Sequence, residues 1–273
     1  MGHTVATGTL GRDMHRDAGR GDIPSRAAPR SQAADHRPAA YHGDVTVEHP
    51  STGAPATDVP APGADAAAAV VLVPIKAFHL AKGRLAPELD AASRERLARW
   101  TAERVLAAAG AGPVAVACDD HAVADWAREH GAIVLWQEGL GLNGAVDRAV
   151  EQLHDAGHRH VTVAHGDLPR PSLLAPFARR DTIVLVPDRR LDGTNVFSFP
   201  TVAAHAGLRA AYGGGSFRRH LAAALATGFA VEVVRDPFLA LDIDLPTDLT
   251  HPLVKDVLPA WLRTNPVNRS PIH

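Results

Sequence analysis

Three aspartates frame the chemistry that this sequence could perform. Asp167 follows an apolar run in His160-Val161-Thr162-Val163-Ala164-His165-Gly166-Asp167-Leu168-Pro169. Such a run reads as a buried strand, and an open α/β sheet builds its ligand crevice beyond the strand ends. Asp242 and Asp244 stand two apart in Leu241-Asp242-Ile243-Asp244. In an extended segment residues i and i+2 face the same way, so the pair can present both carboxylates to one site. Converging carboxylates repel one another unless a cation lies between them. Oxygen ligands of this kind, with phosphate supplying further oxygens, suit Mg²⁺. Asp244 has a second reading, as the N-cap of a helix opening at Pro246.

Three further groupings could serve such a centre. Lys76, Lys82 and Arg84 lie in one loop after an apolar run and could clamp a triphosphate, or could be a solvated surface loop. The loop is not a P-loop, because G-x-x-x-x-G-K-[ST] is absent. Gly213-Gly214-Gly215-Ser216 precedes a helix carrying Arg218, Arg219 and His220. Backbone N–H groups at a helix start bind anions, while the plainer reading is a flexible turn with a serine cap. Asp192-Gly193-Thr194-Asn195 is either a hairpin turn or a means of placing the Thr194 hydroxyl and the Asn195 amide over a substrate. Asp119, Asp120 and Asn143 fall at strand ends, where a ribose or base would be read. His165 neighbours Asp167 and is read as structural. Neither the histidines nor Cys118 supply a nucleophile–base pairing.

These residues need a scaffold, and the hydrophobic pattern supplies one. Apolar runs at Val70–Pro74, Pro113–Ala117, Ile133–Leu135, the Asp167 strand, Thr182–Val186, Val196–Phe199 and Ala230–Val234 read as strands. Helical spacing is predicted for Ser93–Ala109, His121–His130, Ala145–Ala156, Pro171–Arg179, Val202–Ala211, Ser216–Thr227 and a short helix from Pro246. Gly139–Asn143 reads as a turn-rich loop. Alternating strands and helices predict an α/β fold, a single mostly parallel sheet flanked by helices.

The organised part should span residues 69–262. Residues 1–68 contain one Leu, one Ile, one Tyr and no Phe or Trp, so a disordered extension is expected there. A loose tail is expected over 263–273. The 273 residues carry a net charge of −2, which argues against bulk electrostatic binding of nucleic acid. A single cysteine excludes an internal disulfide. No apolar run is long enough for a membrane span, and the first residues lack a signal-peptide h-region, so a cytoplasmic protein is expected.

Taken together, Val73-Pro74-Ile75-Lys76, Ala81-Lys82-Gly83-Arg84-Leu85-Ala86-Pro87, Asp119-Asp120, Gly141-Leu142-Asn143, Gly166-Asp167-Leu168-Pro169, Gly193-Thr194-Asn195, Tyr212-Gly213-Gly214-Gly215-Ser216 and Asp242-Ile243-Asp244-Leu245-Pro246-Thr247-Asp248-Leu249 resemble the CofC/FbiD guanylyltransferases of coenzyme F(420) biosynthesis. The resemblance covers about residues 70–250. It implies a single nucleotidyltransferase domain of the glycosyltransferase-A type, with a Rossmann-like sheet. It implies Mg²⁺ on Asp167, Asp242 and Asp244, with Asp167, Lys82 and Arg84 catalytic and the two cations facing GTP phosphates. Thr194, Gly213 and Ser216, with Asn195 beside them, would hold a phosphorylated three-carbon acid. Pro74, Lys76, Asp119, Asp120 and Asn143 would bind the nucleotide. The implied partners are GTP, that acid and a downstream transferase that takes the product, with a homodimer left open. The acid itself stays undecided among 2-phospholactate, phosphoenolpyruvate and 3-phosphoglycerate. Two rivals share these motifs: a glycosyltransferase of related fold using Asp242-Ile243-Asp244, and a non-catalytic nucleotide-binding domain.

Overall fold

The computed structural model describes Thr57, residues 69–179 and residues 181–263. Its centre is a seven-stranded sheet: β1 (Ala69–Pro74), β2 (Val114–Cys118), β3 (Ile133–Trp136), β4 (His160–Ala164), β5 (Thr182–Pro187), β6 (Thr194–Pro200) and β7 (Ala230–Val233). The spatial order is β3-β2-β1-β4-β6-β5-β7. Strands β1 to β4 are parallel, as are β5 and β7, while β6 runs antiparallel to both β4 and β5. The mostly parallel sheet is therefore as expected, with one reversed strand. The reversal comes from the short 188–193 connection, which folds as a hairpin turn rather than a helical crossover.

Strand β1 shows why the pattern is a continuous apolar run. Val71 and Val73 pack with residues of α1 (Ala91–Ala108) and α2 (His121–Glu129). Val70 and Leu72 pack on the other face with residues of α3 (Gly141–Asp155) and α4 (Ser216–Ala226). A strand covered on both faces has no solvent side to mark with polar residues. A third, smaller cluster joins Leu85, Leu89 and Leu97 to Leu241, Ile243, Val254 and Leu258. It seats three short helices, α5 (Pro246–Leu249), α6 (Pro252–Lys255) and α7 (Ala260–Arg263), beside the start of α1.

Three local expectations are corrected. Residues 171–179 form only a one-turn 3₁₀ segment at Ala175–Phe177. Pro176, inside the expected helix, lacks the N–H that a longer helix would need. Residues 202–211 likewise form only a turn at Thr201–Ala204, since Gly207 at φ +93° ends it. The glycine-rich stretch from Gly141 opens α3 instead of lying in a loop.

The expected disordered extension lies outside the described residues except Thr57, whose hydroxyl accepts the Trp136 N–H at 3.1 Å. The expected tail also lies outside them, apart from Arg263 closing α7. Among the described residues no helix is long and apolar enough to cross a membrane.

Candidate active site

Parallel pairing sets the location. In the β1–β4 register Leu72 lies opposite Val163, so both strands end at one sheet edge. Strand β6 enters from that same edge, with Val196 opposite Ala164. The loop after β1, the Gly166-Asp167 segment after β4 and the first residues of β6 therefore emerge together.

The Leu241–Asp244 piece is extended but joins no strand. Leu241 and Ile243 are buried in the third cluster, which turns Asp242 and Asp244 to the opposite side. The Ile243 N–H reaches the Asp167 carbonyl at 3.3 Å. Carboxylate oxygens of Asp167, Asp242 and Asp244 consequently lie within 4.8 Å of one another. Asp244 does not cap α5. Asp248 does that work, accepting the Leu245 N–H at 2.7 Å and the Asp244 N–H at 2.9 Å, which leaves the Asp244 carboxylate for the cluster.

Lys82 completes the cluster. Its ammonium donates to Asp167 Oδ2 at 3.0 Å, the Ile243 carbonyl at 2.6 Å and Asp244 Oδ1 at 3.4 Å. The side chain is only 6% exposed. Lys82 adopts a left-handed backbone, φ 58° and ψ 31°, a conformation that costs a non-glycine residue about 1–3 kcal/mol. The three contacts of its ammonium hold it there. Arg84 stands outside, 74% exposed, with Nη1 at 3.9 Å from Asp244 Oδ2.

Electrostatics divide the three carboxyls. Burial works to raise the Asp167 pKa, but the Lys82 ammonium outweighs it and holds the group below the usual carboxylate range. Burial likewise works to lower the Lys82 pKa, and Asp167 and Asp244 more than reverse it. Asp242 makes no contact with Lys82 of this kind. Burial, then the charges of Asp167 and Asp244, push it up to about 7. Asp167 Oδ1 is buried and, among the described residues, has no hydrogen-bond partner. An unpaired carboxylate oxygen facing two more carboxylates is a donor set that fits a hard divalent cation.

A hollow of about 260 Å³ opens beside the cluster, walled by Lys76, Lys82, Leu142, His165, Asp167 and Asp244. It shares Pro74, Ile75, Lys76 and Leu142 with a second hollow that reaches Asp119 and Gln137 at the ends of β2 and β3. Together the two hollows form a cleft that runs from the carboxylates along the sheet edge.

The glycine loop forms the third part. Gly213 (φ +111°) and Gly215 (φ +72°) take conformations that favour glycine. The Arg219 guanidinium holds the loop from one side, donating to the carbonyls of Ala211 at 2.7 Å and Gly214 at 2.6 Å. Asp192 holds it from the other, accepting the Gly215 N–H at 3.1 Å. Among the described residues the Gly213 and Gly214 N–H groups donate to no protein acceptor. Thr194 and Ser216 sit beneath, each 2% exposed, joined by the Thr194 N–H to Ser216 Oγ bond at 3.2 Å.

A family model described as Guanylyl transferase CofC like matches residues 69–256. The chain belongs to this family. The matched segment contains every part of the site described above. The chain is 35% identical over 189 residues to a phosphoenolpyruvate guanylyltransferase of Rubrobacter xylanophilus, covering 66% of this chain and 91% of that protein. The chain is also 34% identical over 221 residues to a phosphoenolpyruvate guanylyltransferase of Conexibacter woesei, covering 72% and 98%. A chain from Desulfovibrio desulfuricans G20, described as a nucleotide-diphospho-sugar transferase, superposes with a TM-score of 0.56 at 16% identity, covering 72% of this chain and 91% of that one. That likeness shows the fold alone.

Within this CofC-like site the sequence candidates take different places. Asp167, Asp242, Asp244 and Lys82 converge. Pro74, Lys76 and Asp119 line the cleft. Asp120 instead caps α2, accepting the Val123 N–H at 3.0 Å. Asn143 pairs with the Tyr212 backbone, accepting its N–H at 2.7 Å and donating to its carbonyl at 3.4 Å. Asn195 is buried and donates to the Leu239 carbonyl at 2.9 Å. Asn143 and Asn195 thus hold neighbouring segments in place. Two contributors escaped the sequence reading, the Ile243 carbonyl and the Asp248 cap, and of these Asp248, at N3 of a helix opening on proline, carried a sequence signal. Arg219 and His220 were noted only as members of the helix after the glycine loop, without the contacts they make.

Proposed function

We propose that the chain transfers GMP from GTP to the phosphate of a small phosphorylated three-carbon acid, releasing diphosphate, within coenzyme F(420) biosynthesis. The observation that carries this reading is the family match spanning the whole carboxylate–lysine cluster and glycine loop. The relatives' names point to phosphoenolpyruvate as the first acid to try.

A phosphate oxygen of the acceptor forms the new bond to the α-phosphorus of GTP, and the bond from that phosphorus to the β-phosphate oxygen breaks. The acceptor phosphate is already largely ionised near neutral pH, its second pKa being about 6, so no side chain need act as general base. That agrees with a site of carboxylates and cations. Asp167, Asp242 and Asp244 would hold a divalent cation, with Mg²⁺ the natural choice for phosphate oxygens. Such a cation supplies charge neutralisation at the phosphoryl group. Lys82 and Arg84 add positive charge on the triphosphate side, while Lys76, Pro74 and Asp119 line the path of the nucleoside. The Gly213 and Gly214 N–H groups, which have no acceptor among the described residues, would receive the acid together with the Thr194 and Ser216 hydroxyls. The product, a guanylylated acid, is consumed by a downstream transferase, in the cytoplasm.

The test is diphosphate release from each of four nucleoside triphosphates crossed with phosphoenolpyruvate, 2-phospholactate and 3-phosphoglycerate, coupled to a trapping transferase. GTP with one of these acids should give diphosphate and the other nucleotides little. A glycosyltransferase would instead give no diphosphate here and would release a nucleoside diphosphate only when supplied with a nucleotide sugar, and GTP binding without turnover would mark a sensing domain.

The raised pKa of Asp242 gives a pH signature. Below about pH 7 this carboxyl holds a proton that cation binding must displace. Apparent Mg²⁺ affinity should therefore climb with pH up to about 7 and then level, with up to one proton released on binding. Calorimetric titrations in buffers of different ionisation enthalpy measure this directly. A flat affinity and no proton release below pH 7 would remove Asp242 from the ligand set.

A further inference from the structure

His220 is fully buried beneath the glycine loop, and both of its ring nitrogens are engaged. Nε2 lies 2.8 Å from the backbone nitrogen of Ala211, an N–H that can only donate, so Nε2 is the acceptor. A neutral imidazole then carries its proton on Nδ1, which lies 3.0 Å from Thr194 Oγ1. The Thr194 oxygen must accept that bond, and its own hydroxyl proton is left to donate elsewhere. A half-turn of the ring would place carbons opposite both partners and lose both bonds. The ring stacks on Phe197, with centroids 4.7 Å apart at 24°, and meets the edge of Tyr212 at 4.7 Å and 75°. Burial, helped by the charges of His165 and Arg219, keeps its pKa down at about 4, so the imidazole is neutral at working pH.

We propose that His220 is a positioning residue for the acceptor. By accepting from Ala211 and donating to Thr194 it ties the glycine loop to the first residue of β6, and it orients the Thr194 hydroxyl as a donor to the phosphorylated acid. This rests on the reading of Thr194, Gly213 and Ser216 as acceptor-binding residues. Geometry gives His220 two separable functions. Asparagine keeps a donor near the Nδ1 position and loses the Ala211 acceptor. Glutamine keeps an acceptor near Nε2 and loses the Thr194 donor.

His220→Gln should raise KM for the acid by about tenfold, the loss of one buried oriented hydrogen bond, while KM for GTP stays within about twofold. His220→Asn should recover most of the acid KM. In a Thr194→Val background, His220→Gln should add little further loss, because the partner hydroxyl is already gone. The tautomer itself is readable in the unaltered protein by nitrogen-15 NMR, where His220 should show the Nδ1–H form at neutral pH. An Nε2–H form overturns the proposal without any variant having to fold. So does a His220→Gln enzyme whose two KM values rise together or not at all, or an Asn variant no better than the Gln variant. If the wild-type protein moves GMP to none of the three acids, the functional reading fails instead, and the tautomer measurement still stands on its own.

Discussion

Asp167→Asn is expected to lower the rate of GMP transfer by about 10³-fold, near the upper end of what one preorganised electrostatic contact contributes to a transition state. The physical reason lies in how its two oxygens are used. Oδ2 balances the buried Lys82 ammonium at 3.0 Å, and Oδ1 is buried beside Asp242 and Asp244 without a partner among the described residues. Asparagine preserves the shape and removes the charge. The cation then loses one of three anionic donors, and the Lys82 charge loses its closest counter-ion. Lys82 keeps the Ile243 carbonyl and Asp244, so the circular dichroism spectrum should match that of the wild type. Diphosphate release and a calorimetric Mg²⁺ titration check the two effects together. Turnover within about tenfold of wild type would end the assignment of Asp167 to the reacting centre.

Lys82→Met should move two observables in opposite directions. Transfer should fall by about 10²-fold or more, through loss of a cation facing the triphosphate. Binding of Mg²⁺ without nucleotide should tighten. The ammonium lies on Asp167 Oδ2 and Asp244 Oδ1, two oxygens of the same set that would ligate the metal, so it competes with any cation for them. In the absence of metal the variant should be less stable, by about 3 kcal/mol, because removing one member of a buried pair strands the other. Saturating Mg²⁺ should restore part of that loss by binding only the folded state. Thermal midpoints with and without Mg²⁺, read beside the calorimetric affinity, separate this from a simple loss of fold. Weaker metal binding in Lys82→Met would mean that the lysine helps to assemble the carboxylates instead of competing for them.

Much of this arrangement was legible in the chain because it follows local rules. The Asp167 strand is buried on both faces and ends at Ala164, just before Gly166, and strand tips are where α/β sheets place ligands. The alternation Leu241-Asp242-Ile243-Asp244 puts two apolar side chains in one direction and two carboxylates in the other. The glycines at 213 and 215 announced a tight loop before a helix. Some candidate side chains also have a structural use. Asp120 and Asn143 have the right chemistry to touch a nucleotide, yet one caps α2 and the other closes on the Tyr212 backbone. Both uses are ones these short polar residues favour, and spacing alone cannot rank them. The helices expected at 171–179 and 202–211 failed for a similar reason, since helical spacing of apolar residues does not outweigh Pro176 or Gly207.

By itself, the sequence determined the α/β class and the three carboxylates that converge beyond one edge of the sheet. These depend on period, chain order and residue type, which are properties of a line of residues. Only the tertiary structure decided the rest. It turned β6 against its neighbours and brought Thr194 to the same edge as Asp167. It laid the Lys82 ammonium on carboxylates 85 and 162 positions away, a charge pairing between residues too far apart for any local pattern to record. It also set His220 between Ala211 and Thr194 with its proton committed to one nitrogen. A ring nitrogen takes its role from whichever atoms the packed fold brings within 3 Å, and no spacing along the chain encodes that.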